Sequence, residues 1–404
     1  MSQASLRDRL ARLTSHPSHH GGPPSSYEGE VQGGGYRGGG YRRPAGERII
    51  PPGFEAVETS CGTAWRYADV LAPGRLPGPQ PEVTHTYLDT ETTGLSGGTG
   101  TQVFAVAICR PIAAGLELMQ LFLADPAGEA ALLALLQEEL HQTEGLATYN
   151  GSRFDLPLLR TRWVMARMPG ELEHPAHLDL LTLTRSLLRQ RLEHCTLRLV
   201  EEHLLGFERE RDVVGALVPQ SYFAYLRHGW SPMLPMALEH NRQDAVSLYY
   251  LHARLLLRLA GADPLMDGSD WLALGRYLLR TRRRADGWRA LRNAAELADG
   301  PASALAGLLL ARFLTRRRRL AAAERVLSAL HERMPALPQV AIARARLLEW
   351  SLSDLGAARR VVVEALAGLP PESPYRTDLE WRLQRLDTKL GRRRDDYGLF
   401  QTIE

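Results

Sequence analysis

The sequence predicts a mixed α/β domain, its sheet flanked by helices, followed by an all-α helical-repeat domain. Three observations carry this. Apolar, β-prone runs at 84–90, 102–109 and 116–123 come in series and give way to alternating helical and strand patterns up to about residue 260. From about residue 265 the chain turns to Ala, Leu and Arg without strand signals, and short segments recur at a fixed interval. Residues 1–47 are of low complexity and read as disordered. The expected division is therefore 1–47, a disordered segment; 48–262, the α/β domain; and 265–404, the repeats.

Taken in order, residues 1–47 open on a short amphipathic piece, Leu6 to Leu13, and contain Gly-Gly-Gly-Tyr-Arg-Gly-Gly-Gly-Tyr-Arg-Arg at 33–43. A flexible tail is the first reading; Arg and Tyr interleaved with Gly also suit contact with single strands. Residues 48–82 hold strand-like pieces at Phe54–Glu58 and Thr63–Tyr67 before a Pro/Gly-rich approach. After the three serial strands, a helix is expected at 128–142, a strand at 145–149, a helix at 153–167 and a short strand at 176–180. Helices at 180–190 and 196–205 follow, with Thr196 a candidate cap, and a helical pattern containing 239–248 runs to about Ala260. In the last part, Trp288-Arg289-Ala290-Leu291, Glu324-Arg325-Val326-Leu327 and Arg359-Arg360-Val361-Val362 recur 36 and 35 residues apart. That period is the one of helix-turn-helix solenoids of the tetratricopeptide kind, which bind partners in a concave face; the competing reading is a helical lid on the α/β domain.

Three acidic sites stand out. In His85-Thr86-Tyr87-Leu88-Asp89-Thr90-Glu91-Thr92-Thr93-Gly94 a short strand ends in two carboxylates. Residues i and i+2 of a strand share a face, so Asp89 and Glu91 should point the same way. Paired carboxylates repel unless a cation lies between them, and hard oxygen ligands suit Mg²⁺ or Mn²⁺. In Tyr149-Asn150-Gly151-Ser152-Arg153-Phe154-Asp155 a strand-to-turn signal leads into a helix that Ser152 is placed to cap, with Asp155 in its first turn. In Glu239-His240-Asn241-Arg242-Gln243-Asp244, His240 and Asp244 are i and i+4 and share one helix face. Each site alone has a plain alternative: a solvated turn, a carboxylate on a helix dipole, a surface His–Asp pair. Asp179, in His177-Leu178-Asp179, reads as a helix cap or a support for the others. Gly97-Gly98-Thr99-Gly100 lacks the Lys-Ser/Thr of a nucleotide-binding loop and reads as a tight turn beside Asp89.

Together the three sites resemble the DEDD exonucleases of the ribonuclease H-like superfamily. Asp89-x-Glu91 is similar to their first motif, Asn150-x₄-Asp155 to the second and His240-x₃-Asp244 to the third. Tyr-Leu-Asp-Thr-Glu-Thr-Thr-Gly-Leu-Ser-Gly-Gly-Thr-Gly (87–100), Tyr-Asn-Gly-x-x-Phe-Asp (149–155), His-Leu-Asp-Leu-Leu (177–181) and Glu-His-Asn-x-x-Asp (239–244) resemble the YprB-type branch more closely. The resemblance covers about residues 50–260. It implies a ribonuclease H-like fold and a metal-dependent 3′–5′ exonuclease acting on single-stranded DNA or RNA. It also implies two divalent cations, Mg²⁺ or Mn²⁺, on Asp89, Glu91, Asp155 and Asp244, with Thr90, Asn150 and Asn241 facing substrate. His240 would take the proton of the attacking water. One departure matters: family members with a His base place it five residues before the Asp, whereas here the spacing is four. Whether His240 is the base or only orients water therefore stays open. A protein partner on the helical repeats is a further expectation. The alternative from another class is a non-catalytic nucleic-acid-binding or protein-interaction adaptor on the same fold.

Composition bounds these readings. A chain of 404 residues is long for one core and suggests two or three units. There is no run of 18 apolar residues, so no membrane span is expected. The three cysteines, Cys61, Cys109 and Cys195, are widely spaced; they argue against a zinc site or disulfide framework and fit the reducing cytoplasm. Net charge is +3, and Lys389 is the only lysine, an arginine bias read first as codon usage and only in part as phosphate binding.

Overall fold

The computed structural model describes residues 48–401, apart from 73, 75–81, 95–97, 142, 169–175, 210–214 and 298–299. The low-complexity segment 1–47, and residues 95–97 of the 87–100 stretch, lie outside the described residues. The chain separates into two compact units: the described residues up to Arg185 with Leu192–Asp263, and Ser186–Arg191 with the chain from Pro264 on.

The first unit is built on a seven-stranded mixed sheet in the order β1-β2-β5-β4-β3-β6-β7. Its strands are β1 (Glu55–Thr59), β2 (Gly62–Leu71), β3 (Thr86–Thr92), β4 (Val103–Ile112), β5 (Gly115–Phe122), β6 (Leu146–Thr148) and β7 (His177–Asp179). The pairs from β1 to β3 are antiparallel, whereas β6 runs parallel to both β3 and β7. Val103 to Cys109 of β4 are all buried, which is why this strand reads as a continuous apolar run instead of alternating. β1, at the edge, stays largely exposed. In β3 the first three residues, Thr86, Tyr87 and Leu88, are buried and the last four are half-open. Its apolar half anchors the strand, and its polar half emerges where the carboxylates begin.

Helices α1 (Glu129–His141), α2 (Asp155–Met165), α3 (Leu180–Leu188), α4 (Leu197–Val200), α5 (Val218–His228) and α6 (Leu234–Ala260) accompany the sheet. Thr196 caps α4, which runs into a π-helical turn, Glu201–Leu205, closed by Gly206 at φ 64. α6 lies against β3 and β4. Trp163 of α2 is buried and donates through Nε1 to the Leu133 carbonyl of α1, 3.2 Å away. Arg162 pairs with Glu129 and also donates to the Thr99 carbonyl at 2.8 Å, tying the turn after the first motif to α2. Ser152 does not cap α2 as the sequence suggests. Its hydroxyl and amide both turn to Asp179, and Phe154 takes the cap position without a side-chain bond. α2 begins only at Asp155, which leaves Ser152 two residues before the cap position, where its donors meet the Asp179 carboxylate.

The second unit holds α7 (Gly268–Arg280), α8 (Arg284–Leu297), α9 (Pro301–Arg316), α10 (Leu320–Arg333), α11 (Pro338–Trp350), α12 (Leu355–Ala367) and α13 (Arg376–Gln401). α8, α10 and α12 begin 36 and 35 residues apart, the interval seen in the sequence. Small residues let neighbouring helices approach: a Cβ on Gly307 of α9 would fall 2.2 Å from Leu330 Cδ1 of α10. Trp288 and Phe313 stack at 3.8 Å between α8 and α9. The described residues thus form a mixed seven-stranded sheet with helices, followed by a helical region.

Candidate active site

Asp89, Thr90 and Glu91 leave the core at the open end of β3, between β4 and β6. Asp155 opens α2, directly after the turn that follows β6. His240, Asn241 and Asp244 lie in the first half of α6, which crosses β3. Three segments far apart in sequence therefore deliver four carboxylates and an imidazole to one place.

Three of the four carboxylates are each held by a hydrogen bond from a neighbouring side chain. Asn241 Nδ2 donates to Asp89 Oδ2 at 2.8 Å, and Thr90 Oγ1 donates to Asp155 Oδ1 at 2.5 Å. Arg209 Nη2 donates to Asp244 Oδ1 at 2.5 Å. His240 Nε2 stands 3.9 Å from Glu91 Oε1 and 3.7 Å from Asp244 Oδ2. Glu91, Asp244 and His240 keep 14%, 14% and 18% of their side-chain surface, so the cluster is recessed but reachable from solvent.

The electrostatics follow from that recess. Burial pushes the Asp89 carboxyl well above the ordinary carboxylate range, and Asp244, Asp155 and Glu91 add to the push while the Asn241 bond opposes it. Burial raises Glu91 to about 8; His240 and Arg209 pull it down, and Asp244 and Asp155 push it up. Burial also raises Asp155 to about 6, against the hydrogen bond from Thr90. Three carboxyl groups with raised proton affinity mark a site short of positive charge.

All-oxygen donors in such a site fit a hard divalent cation by chemistry. As the side chains are placed, no three His, Cys, Asp or Glu among the described residues are arranged to hold an ion. The reason is visible in the hydrogen bonds: Asn241, Thr90 and Arg209 each turn one carboxylate toward themselves.

The residues expected to face substrate are placed as follows. Thr90 is engaged with Asp155. Asn150 sits at φ 67 in the turn after β6, its backbone N–H on Asp179 Oδ1 at 2.9 Å. Asn241 is fully buried, its amide spent between Asp89 and Gln120, which makes it an orienting group for Asp89. Asp179 caps α3 through the Leu181 N–H and holds the turn at Asn150 and Ser152.

Sequence reasoning missed three members of the site. Gln120 is fully buried in β5 and bonds Asn241 Oδ1 at 2.7 Å and the Leu238 carbonyl at 2.8 Å. A lone Gln in Leu118-Met119-Gln120-Leu121-Phe122 was the available signal, because a buried amide demands partners. Glu201 and Arg209 belong to no motif, and no spacing rule pairs them.

Residues 86–256 match the family described as the RNase_H superfamily. β3 through most of α6 thus form a ribonuclease H-like domain. A protein of Bacillus subtilis (strain 168), named "Uncharacterized protein YprB", is 34% identical over 171 residues, 42% of this chain and 41% of that one. The chain therefore spans about two fifths of that relative's length. Among solved structures, the family B DNA polymerase from the hyperthermophilic archaeon Pyrobaculum calidifontis aligns with a TM-score of 0.36 and 15% identity, covering 81% of this chain and 50% of that chain. No helix among the described residues is long and apolar enough to cross a membrane.

Proposed function

We propose that the protein is a metal-dependent 3′–5′ exonuclease that hydrolyses phosphodiester bonds of single-stranded DNA or RNA. The observation that carries this reading is the convergence of Asp89, Glu91, Asp155 and Asp244 in one solvent-reachable recess of a ribonuclease H-like domain. Nucleases of this fold generally use divalent metals. Two such ions, when bound by the four carboxylates, would supply water activation and stabilisation of the leaving oxygen. The chain's own part is to aim these groups. Asn241, itself fixed by Gln120, orients Asp89; Thr90 orients Asp155; Asp179 shapes the turn that delivers Asp155. The experiment is incubation of the purified protein with end-labelled single-stranded DNA and RNA under Mn²⁺, Mg²⁺ or EDTA. Shortening from the 3′ end supports the proposal. No hydrolysis with any cation leaves the adaptor reading, in which Arg209 is the cluster's permanent counter-charge.

EDTA should stop the reaction and Mn²⁺ restore it, whereas Ca²⁺ should restore it poorly. Ca²⁺ prefers more ligands at longer distances, a poor match to a compact carboxylate set. Activity surviving exhaustive chelation would point to another chemistry.

For residues 265–404 we propose a tetratricopeptide-like stack that binds a protein partner. The support is the interval of 36 and 35 residues between α8, α10 and α12. Helices in such a stack contact mainly their neighbours, so residues 48–262 expressed alone should stay soluble and degrade short oligonucleotides. Aggregation of that fragment would instead assign the helices to the stability of the catalytic unit.

A further inference from the structure

Arg209 stands outside every motif, yet it touches two members of the candidate site. Its side chain is 2% exposed and is clamped by Glu201, which is 1% exposed, through Nε at 2.8 Å and Nη2 at 2.7 Å. This two-point grip on a planar guanidinium fixes its orientation as well as its place. From there Nη1 lies 2.8 Å from His240 Nδ1 and Nη2 lies 2.5 Å from Asp244 Oδ1.

The contact with His240 has a chemical consequence. A guanidinium has only donors and keeps its charge at any ordinary pH, so Nδ1 of His240 must be the acceptor. A neutral imidazole carries one proton; with Nδ1 bare, that proton is on Nε2. Nε2 is the nitrogen that faces Glu91 and Asp244. The usual arrangement for a histidine base is the reverse, with a carboxylate or carbonyl accepting from Nδ1–H and leaving Nε2 bare.

We propose that Arg209 is a positioning residue which, gripped by Glu201, holds His240 with its proton on Nε2, so that His240 presents a hydrogen-bond donor and not a proton acceptor to the carboxylate cluster. In this role His240 serves the oxygen of a water or a phosphate entering the recess, since Glu91 Oε1 and Asp244 Oδ2, at 3.9 and 3.7 Å, lie beyond direct hydrogen-bond reach of Nε2. The catalytic part of the inference rests on the nuclease reading; the protonation of the ring does not. The spacing of four in His240-x₃-Asp244 accords with a group that steers water and needs no lone pair on Nε2.

The test has two arms. In the first, the full-length chain is labelled with ¹⁵N-histidine and held in EDTA near pH 8; the His240 ring signals are identified by their loss in His240→Gln. A protonated Nε2 with a bare Nδ1 is expected, and a protonated Nδ1 with a bare Nε2 overturns the proposal. Arg209→Lys keeps a positive charge for Glu201 but loses the forked geometry, so it should allow both ring forms; an unchanged pure Nε2–H form in that variant also counts against Arg209 as the cause. The second arm is kinetic. Gln offers an amide donor and no base, so His240→Gln should turn over about tenfold faster than His240→Ala, at similar KM. Equal loss in both variants overturns the donor role. A chain with no hydrolysis under any cation would sink the nuclease reading while the ring protonation still stood to be read.

Discussion

Asp89→Asn is expected to abolish hydrolysis, by about 10³-fold or more, and to leave the metal-free protein at least as stable as before. A loss of that size is the scale on which one preorganised electrostatic group acts in a reaction centre. The stability half follows from the surroundings of the carboxyl. Burial is the main cause of its raised proton affinity, and Asp244, Asp155 and Glu91 all add repulsion. An amide removes both penalties. It also keeps the local bond, since its oxygen can still accept from Asn241 Nδ2, now 2.8 Å from Asp89. Asp244→Asn should be equally inactive but behave differently on heating. It takes an anion from Arg209, whose guanidinium is buried, and should cost about 1–3 kcal/mol, with Glu201 limiting the loss. Circular dichroism melts beside a degradation assay check both. Full activity in Asp89→Asn would remove the metal mechanism, and a large drop in its melting temperature would mean that the cluster is held together by something other than what Asn241 and the strand provide.

The contrast between these two carboxylates shows what was legible in the sequence. The alternation of β3, the first turn of α2 and the i,i+4 face of α6 are local periodicities, so the sequence could name Asp89, Glu91, Asp155, His240 and Asp244 as facing groups. The central strands were equally plain, because Val103 to Cys109 form one apolar run. What it could not supply were the partners at long range. Gln120 reaches Asn241 across 121 positions and Arg209 reaches Asp244 across 35, separations that no local helix or strand periodicity links. The cap of α2 failed for a related reason. Ser152 has the right residue type, but α2 begins only at Asp155, so Ser152 falls two residues short of the cap and its hydroxyl donates to Asp179, brought in by β7. Local rules place side chains on faces; which polar groups meet across those faces is settled by the sheet order.

Burial and mutual repulsion leave the carboxylate cluster short of positive charge, and this should appear as a pH dependence of stability. Glu91 is raised to about 8 from an ordinary 4.5, and Asp155 to about 6 from 3.8, with Asp89 raised as well. A carboxyl group whose folded pKa is raised holds a proton that the unfolded chain has already lost. Folding is then penalised increasingly as pH rises through the interval between the two values. Buried and half-buried histidines act in the opposite sense at lower pH. Burial lowers His252 to about 4, and lowers His85 and His177 as well, so acid below about 6.5 favours the unfolded chain, which takes up those protons. The window in which the carboxylates dominate is therefore pH 6.5 to 8. In EDTA the melting temperature should fall across it, by the equivalent of roughly a few kcal/mol in all, since one pKa unit corresponds to about 1.4 kcal/mol. Mn²⁺ should stabilise more at pH 8 than at pH 6.5, because the ion competes with protons for the same oxygens. The double variant Asp89→Asn, Glu91→Gln should flatten the profile and lose most of the Mn²⁺ response. Melting temperatures that rise from pH 6.5 to 8 in EDTA, or a Mn²⁺ shift that the double variant keeps, would show that the carboxylates are compensated within the folded chain and that the cation binds elsewhere.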